Sequence, residues 1–218
     1  LCDTFSDDIL ATIDCLTAMG AQITHEESRI SVTPVFASRK LVELCKLPCR
    51  ESGSTLRFLL PVLGALGLSG VFQMEGRLPE RPLHPLDEVL MAHGMVLRRD
   101  GSALYVSGQL QPGRFSLPGD VSSQYLSGLL FALPLLDGDS TLEITGALQS
   151  ASYFSMTQDA VLKSGIRFSK NRNHFFIPGN QRYVLPDGCS AEGDWSGAAF
   201  FLCAGALSQT GILATGLN

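Results

Sequence analysis

The chain has 218 residues, of which 45% are hydrophobic and 17% charged, and its net charge at pH 7 is -5. This is an ordinary globular composition, and a chain of this length buries roughly 70% of the surface that its unfolded form exposes. The negative balance excludes nucleic acid as the main partner, because a phosphate backbone requires a basic face, and no apolar run of about 18 residues suggests a membrane span.

The first predicted element is a helix that opens at Ser6-Asp7-Asp8, where acids suit the positive end of the helix dipole, and ends at Gly20. A hairpin follows, with a turn at Glu27-Ser28, apolar alternation at Ile30 and Val32, and a breaker at Pro34. The same pattern recurs behind Gly94 and Gly165. Leu16, Leu90 and Val161 lie four residues before the three glycines, and Ile23, Leu97 and Phe168 three after. Leu104 with Val106, and Phe175 with Ile177, repeat the alternation of the first hairpin. Each glycine reads as a left-handed helix end, and each alternating pair as a strand with one face buried.

Cys45 and Cys49, four residues apart, suit one face of a helix better than a zinc site. Together with Cys2, Cys15, Cys189 and Cys203 they are read as reduced structural thiols, hence a cytoplasmic protein. Helices apolar nearly all round are predicted to begin at Ser54, Ser122 and Ser196, and a helix of that kind is buried. Gly119-Asp120-Val121-Ser122 and Gly193-Asp194-Trp195-Ser196 share one lead-in. The repeat period is about 70 residues, and three such units pack economically around a pseudo-threefold axis, helices inside and sheets outside.

Gly53-Ser54-Thr55 and Ser122-Ser123-Gln124 place hydroxyls and free N–H groups at helix starts, which suits either plain capping or a phosphate or carboxylate. The loop Gly76-Arg77-Leu78-Pro79-Glu80-Arg81-Pro82-Leu83 carries two arginines, each a natural carboxylate clamp unless it merely pairs with Glu80. An amphipathic helix follows from Leu86 to His93. Ser150-Ala151-Ser152-Tyr153 precedes another helix and reads as a cap or as donors to a sugar-like hydroxyl. His25, His84, His93 and His174 show no metal spacing and read as surface or turn residues.

In order along the chain, ESGSTLRFL, GRLPERPLHPL, GDVSSQYLSGLLFALPLL, SASYF and AEGDWSGAAFFL resemble the 3-phosphoshikimate 1-carboxyvinyltransferase (5-enolpyruvylshikimate-3-phosphate synthase) family. The resemblance implies an α/β fold of repeated βαβαββ units and an enolpyruvyl transfer from phosphoenolpyruvate to shikimate-3-phosphate, with no cofactor and no metal. It implies that Ser122, Ser123, Gln124, Ser150 and Tyr153 bind shikimate-3-phosphate. Gly53, Arg81 and Gln124 would bind phosphoenolpyruvate, with Arg57 and Arg77 in support. Glu51 stands where many members carry Asn and is expected to turn away or to pair with an arginine; Ser155 stands where Asp is common.

The resemblance also implies a monomeric intact enzyme with no nucleic-acid or membrane partner. The opening Leu1-Cys2-Asp3 without Met is read as the mark of a fragment. Residues 1–188 would form the shikimate-3-phosphate side, lacking a first strand-helix segment and the acid–base groups, so this chain is expected to be inactive alone. Residues 189–218 would begin a second domain and fill the vacant helix position, since Phe200, Phe201, Leu202 and Leu207 each forgo roughly 1.5–3 kcal/mol when left in water. The alternatives are a UDP-N-acetylglucosamine enolpyruvyl transferase, which uses a loop Cys that has no match here, and a non-catalytic binding module.

Overall fold

The three repeated glycines are all left-handed, with φ of 106° at Gly20, 95° at Gly94 and 79° at Gly165. Each ends a helix and turns the chain into a hairpin, so the sequence repeat is a structural repeat. The computed structural model of the chain describes residues 5–26, 29–33, 44–186 and 193–217. Cys2, Cys189, the Glu27-Ser28 turn, Pro34 and the predicted boundary between 188 and 189 lie outside them.

The chain divides into two compact units, residues 1–184 and 185–218. The first begins with α1 (Asp7–Ala18) and the hairpin β1 (Gln22–Glu26) and β2 (Arg29–Thr33). Two complete β-α-β-α-β-β repeats follow. One is β3 (Cys45–Arg50), α2 (Gly53–Ala65), β4 (Gly70–Met74), α3 (Leu86–Ala92), β5 (Val96–Asp100) and β6 (Ala103–Ser107). The other is β7 (Arg114–Pro118), α4 (Ser123–Ala132), β8 (Ser140–Thr145), α5 (Ala151–Lys163), β9 (Ser169–Asn171) and β10 (His174–Ile177).

Their sheets have matching orders, β3-β4-β6-β5 and β7-β8-β10-β9. In each, the first pair is parallel, as a strand-helix-strand crossover demands, and the others are antiparallel. Leu104 and Val106 in one repeat, and Phe175 and Ile177 in the other, turn into the core as their alternation predicts. The first hairpin differs: Ile30 is 41% exposed and Val32 57% exposed. Among the described residues, β1 and β2 form a sheet of their own, without the parallel pair that joins the equivalent strand in each complete repeat.

Helices α2 and α4 are buried on nearly every side, and they pack chiefly on each other. The contact is close because Pro61, which has no N–H, leaves the Arg57 carbonyl free, and Gly128 sits against that carbonyl. A Cβ on Gly128 would lie 2.3 Å from the Arg57 oxygen and 3.0 Å from the Pro61 ring.

Cys45 and Cys49 lie on strand β3 rather than on a helix. Both are buried, because residues four apart share a face in a strand as well as in a helix. Cys15, Cys45 and Cys49 are free buried thiols, and Cys203 is free and exposed. Burial pushes the Cys15 and Cys49 thiols up to about 12, so both stay protonated and poorly nucleophilic at neutral pH.

The second unit carries α6 (Trp195–Leu207), capped by the Asp194 carboxylate, which accepts the Ser196 N–H at 2.8 Å. No residue of α6 is buried, against the expectation from its apolar surface. Phe200 and Phe201 are 80% and 65% exposed. The described residues of this short unit are too few to cover a helix apolar on every side. No strand forms at 212–214, where a strand-like tail was expected. Among the described residues, no helix is long and apolar enough to cross a membrane.

Candidate functional site

Four segments converge on one cleft of about 610 Å³ in the first unit. The start of α4 supplies Ser122, Ser123 and Gln124; the start of α5 supplies Ser150 and Tyr153. Ser54 and Phe58 come from α2, and Phe131 from the far end of α4. All five residues expected on the shikimate side therefore line a single cavity.

The choice between capping and ligand duty resolves residue by residue. Ser52, not Ser54, caps α2 by accepting the Thr55 N–H at 3.3 Å, which leaves the Ser54 side chain on the cleft. Ser122 does cap α4, accepting the Gln124 N–H at 3.3 Å. Ser150 makes no capping bond and holds a left-handed backbone at φ 55°. For a non-glycine residue that conformation costs about 1–2 kcal/mol, and Ser150 lines the cleft without capping its own helix. The wall behind is fixed by a buried bond between Ser127 and Thr157 hydroxyls at 2.6 Å, which ties α4 to α5.

A second cluster adjoins the first through Gln124. Gly53 opens α2, and a Cβ added there would lie 2.6 Å from Arg57 Nη1 and 3.0 Å from Arg81 Nη1. Two guanidinium groups thus flank a glycine whose missing side chain gives them room. Arg57 is only 8% exposed, and its Nη1 donates to Gln124 Oε1 at 2.9 Å. Tyr125 stacks near Arg57, 5.6 Å from ring centre to guanidinium, and donates its hydroxyl to the Pro82 carbonyl at 2.7 Å. Burial pushes the Tyr125 phenol up, with the Arg57 charge opposing, so it stays a neutral donor.

The arginine loop is a short 3-10 turn at Leu78–Glu80, pinned by Arg99, whose Nη1 donates to the Pro79 carbonyl at 2.6 Å. The loop separates its two arginines. Arg77 is exposed and lies 3.8 Å from Glu80, the plain pairing that its sequence also allowed, whereas Arg81 reaches Gly53.

Glu51 turns away from the cluster and holds the loop by its backbone. Its Oε1 accepts the Arg77 N–H at 3.0 Å, beside Gly76, which is left-handed at φ 51°. Glu51→Ala is expected to lower stability by about 1 kcal/mol through the lost bond, with Glu51→Gln close to wild type because an acceptor remains. Urea unfolding of the three proteins checks this; equal midpoints for Glu51→Ala and wild type would refute it.

Phe58, Phe131 and Met156 also line the cleft, and sequence reasoning missed them. Phe58 and Phe131 pack edge to face at 5.6 Å. Their helices are apolar on every side, so the pattern carries no sign of which apolar residue meets the cavity. Ser155, the other departure from the resembled pattern, is exposed on α5 and does not line it.

Repeated βαβαββ units with a row of hydroxyls at helix starts, beside two guanidinium groups that make no ion pair among the described residues, form an α/β domain able to hold small anions rich in oxygen. The sequence model of the EPSP synthase (3-phosphoshikimate 1-carboxyvinyltransferase) family matches residues 5–218, and the chain belongs to that family. It is 39% identical over 217 residues to a 3-phosphoshikimate 1-carboxyvinyltransferase of Clostridium beijerinckii, covering 96% of this chain and 50% of that protein. It is 40% identical to the enzyme of the same description from Clostridium kluyveri, covering 98% of this chain and 50% of that protein. The chain therefore spans about half the length of these relatives. The fold also matches a solved EPSP synthase from Acinetobacter baumannii with a TM-score of 0.76 at 20% identity, over 94% of this chain and 46% of that one.

Proposed function

We propose that the chain forms the shikimate-3-phosphate side of an enolpyruvyl transferase acting in chorismate and aromatic amino-acid biosynthesis. In the reaction, C3 of phosphoenolpyruvate takes a proton, and the shikimate 5-hydroxyl gives up its own proton to a base as its oxygen bonds to C2. The tetrahedral adduct then loses phosphate from C2 and a proton from C3, which restores the double bond.

The observation that carries the reading is the convergence of Ser122, Ser123, Gln124, Ser150 and Tyr153 on one cleft, beside the Arg57 and Arg81 guanidinium groups at Gly53. The hydroxyls and the amide would hold shikimate-3-phosphate. Arg81, the Gly53 end of α2 and Gln124 would hold phosphoenolpyruvate, with Arg57 and Arg77 supporting. Fixed donors of this kind act most strongly in a closed, dry cleft. Residues 1–188 are assigned to this domain and 189–218 to the start of the next. The intact enzyme is taken to be monomeric and cytoplasmic, with no cofactor, and the acid–base groups to lie outside these residues.

Calorimetry tests the reading. The 218-residue chain should bind shikimate-3-phosphate at one site and should release no phosphate when phosphoenolpyruvate is added. Binding of UDP-N-acetylglucosamine in its place, binding of neither ligand, or measurable turnover by the chain alone would each overturn the corresponding part.

A further inference from the structure

The side chain of Gln124 could present either its oxygen or its NH2 group to the cleft, and the two would select opposite ligands. An oxygen would welcome donors; an NH2 group would welcome the oxygens of an anion. Arg57 decides which. Its Nη1 donates to Gln124 Oε1 at 2.9 Å, and a guanidinium carries donors only. Reversing the amide would set NH2 against N–H. We infer that Arg57 is a positioning residue that locks the Gln124 carboxamide with its oxygen inward and its NH2 turned to the cleft.

This inference rests on the reading of the cleft as an anion site, and it assigns to Arg57 an indirect part in it. The surroundings of Arg57 support that part. The cation is almost wholly buried, yet it makes no ion pair among the described residues. Its Nη2 donates to the Pro82 carbonyl at 3.4 Å, and its Nε is buried without a partner among the described residues. Burying a charge on neutral acceptors costs free energy, so stability alone does not explain its place. A cation directly behind an amide oxygen polarises the amide and strengthens its N–H donors. The Arg57 charge thus reaches the ligand through Gln124, whereas Arg81 is the exposed arginine beside Gly53.

Two readouts test this, one of them without any ligand. In the free 218-residue chain, nitrogen-15 relaxation should show the Gln124 NH2 group as ordered as the backbone of α4. Arg57→Met should free it to the mobility of an exposed glutamine, and Arg57→Lys, which retains a cationic donor, should restore much of the order. An NH2 group mobile in the wild type, or unmoved by Arg57→Met, overturns the inference even if no substrate binds.

With shikimate-3-phosphate or phosphoenolpyruvate, Arg57→Met and Gln124→Met should each weaken binding about tenfold, a change of about 1.4 kcal/mol. The double variant should be no weaker than either single one, because one acts through the other. Losses that add would mean that Arg57 touches the ligand itself. Should Arg57→Met not fold, Gln124→Glu replaces it. A carboxylate there keeps Arg57 satisfied but turns an oxygen to the cleft, so binding should fall further than in Gln124→Met; binding equal to wild type overturns the inference. Failure of the wild-type chain to bind either substrate would instead overturn the proposed function, with the relaxation result still deciding the role of Arg57.

Discussion

Gly128→Ala is expected to destabilise the chain by about 2 kcal/mol, although alanine is the better helix former by about 1 kcal/mol. The reason is the crossing of α4 over α2. The new methyl would lie 2.3 Å from the Arg57 carbonyl oxygen, which is backbone and cannot swing aside as a long side chain can. The two helices must separate, and their buried leucines, Leu60, Leu63, Leu126 and Leu129, which share one core, lose close contact. For a chain of this size, 2 kcal/mol lowers the melting temperature by about 4–8 °C. Thermal unfolding followed by circular dichroism measures it, and an unchanged or raised melting temperature would show that the crossing has slack.

Gly53→Ala should do the opposite: leave stability intact and damage binding. Gly53 has no left-handed backbone to protect, and alanine suits the first turn of α2. Its methyl would meet the ends of two flexible side chains, Arg57 Nη1 at 2.6 Å and Arg81 Nη1 at 3.0 Å. Both can move, so the fold absorbs the change, but Arg57 then loses its place on the Gln124 oxygen and Arg81 its place beside Gly53. Phosphoenolpyruvate binding is expected to weaken about tenfold, or about 1.4 kcal/mol, at an unchanged melting temperature. Calorimetry and a melting curve on the same preparation decide it. A variant that binds as tightly as wild type would show that the guanidinium positions are not critical.

The hairpins and their glycine hinges were legible in the sequence because each rests on a local rule. Leu104 and Val106 alternate, and the turns behind Gly20, Gly94 and Gly165 need φ above zero. The parallel strands were not. β3 does alternate, with Cys45, Leu47 and Cys49 buried, but Pro48 and the two cysteines mask its strand character, and its partner β4 lies beyond α2 in the chain. Exposure was the least legible property. α2 and α6 look alike in composition, yet one is buried and the other is not, because burial belongs to the partner as much as to the helix.

At the site, the residue types were readable and their grouping was not. Ser122 and Ser150 both stand at helix starts, but only Ser122 caps, and nothing local announces the left-handed backbone that releases Ser150. Arg77 and Arg81 share one loop, and only the turn between them sends one to Glu80 and the other to Gly53. The Glu51 tie to the Arg77 N–H joins residues 26 positions apart, beyond any motif.

The matching sheet orders also bear on the sequence in which the chain can assemble. Every strand of β3-β4-β6-β5 comes from one continuous stretch, and so does every strand of β7-β8-β10-β9. Closing either sheet needs only the helical crossovers and the hairpin within that stretch, and no strand waits for a partner outside it. The helices obey the reverse rule. α2 finds most of its contacts on α4, which belongs to the following stretch. As a chain emerges amino end first, the hydrogen bonds of the earlier sheet can all be made while its most apolar helix is still wet. Strand register is therefore settled within a repeat, and the loss of water from the core is settled only between repeats.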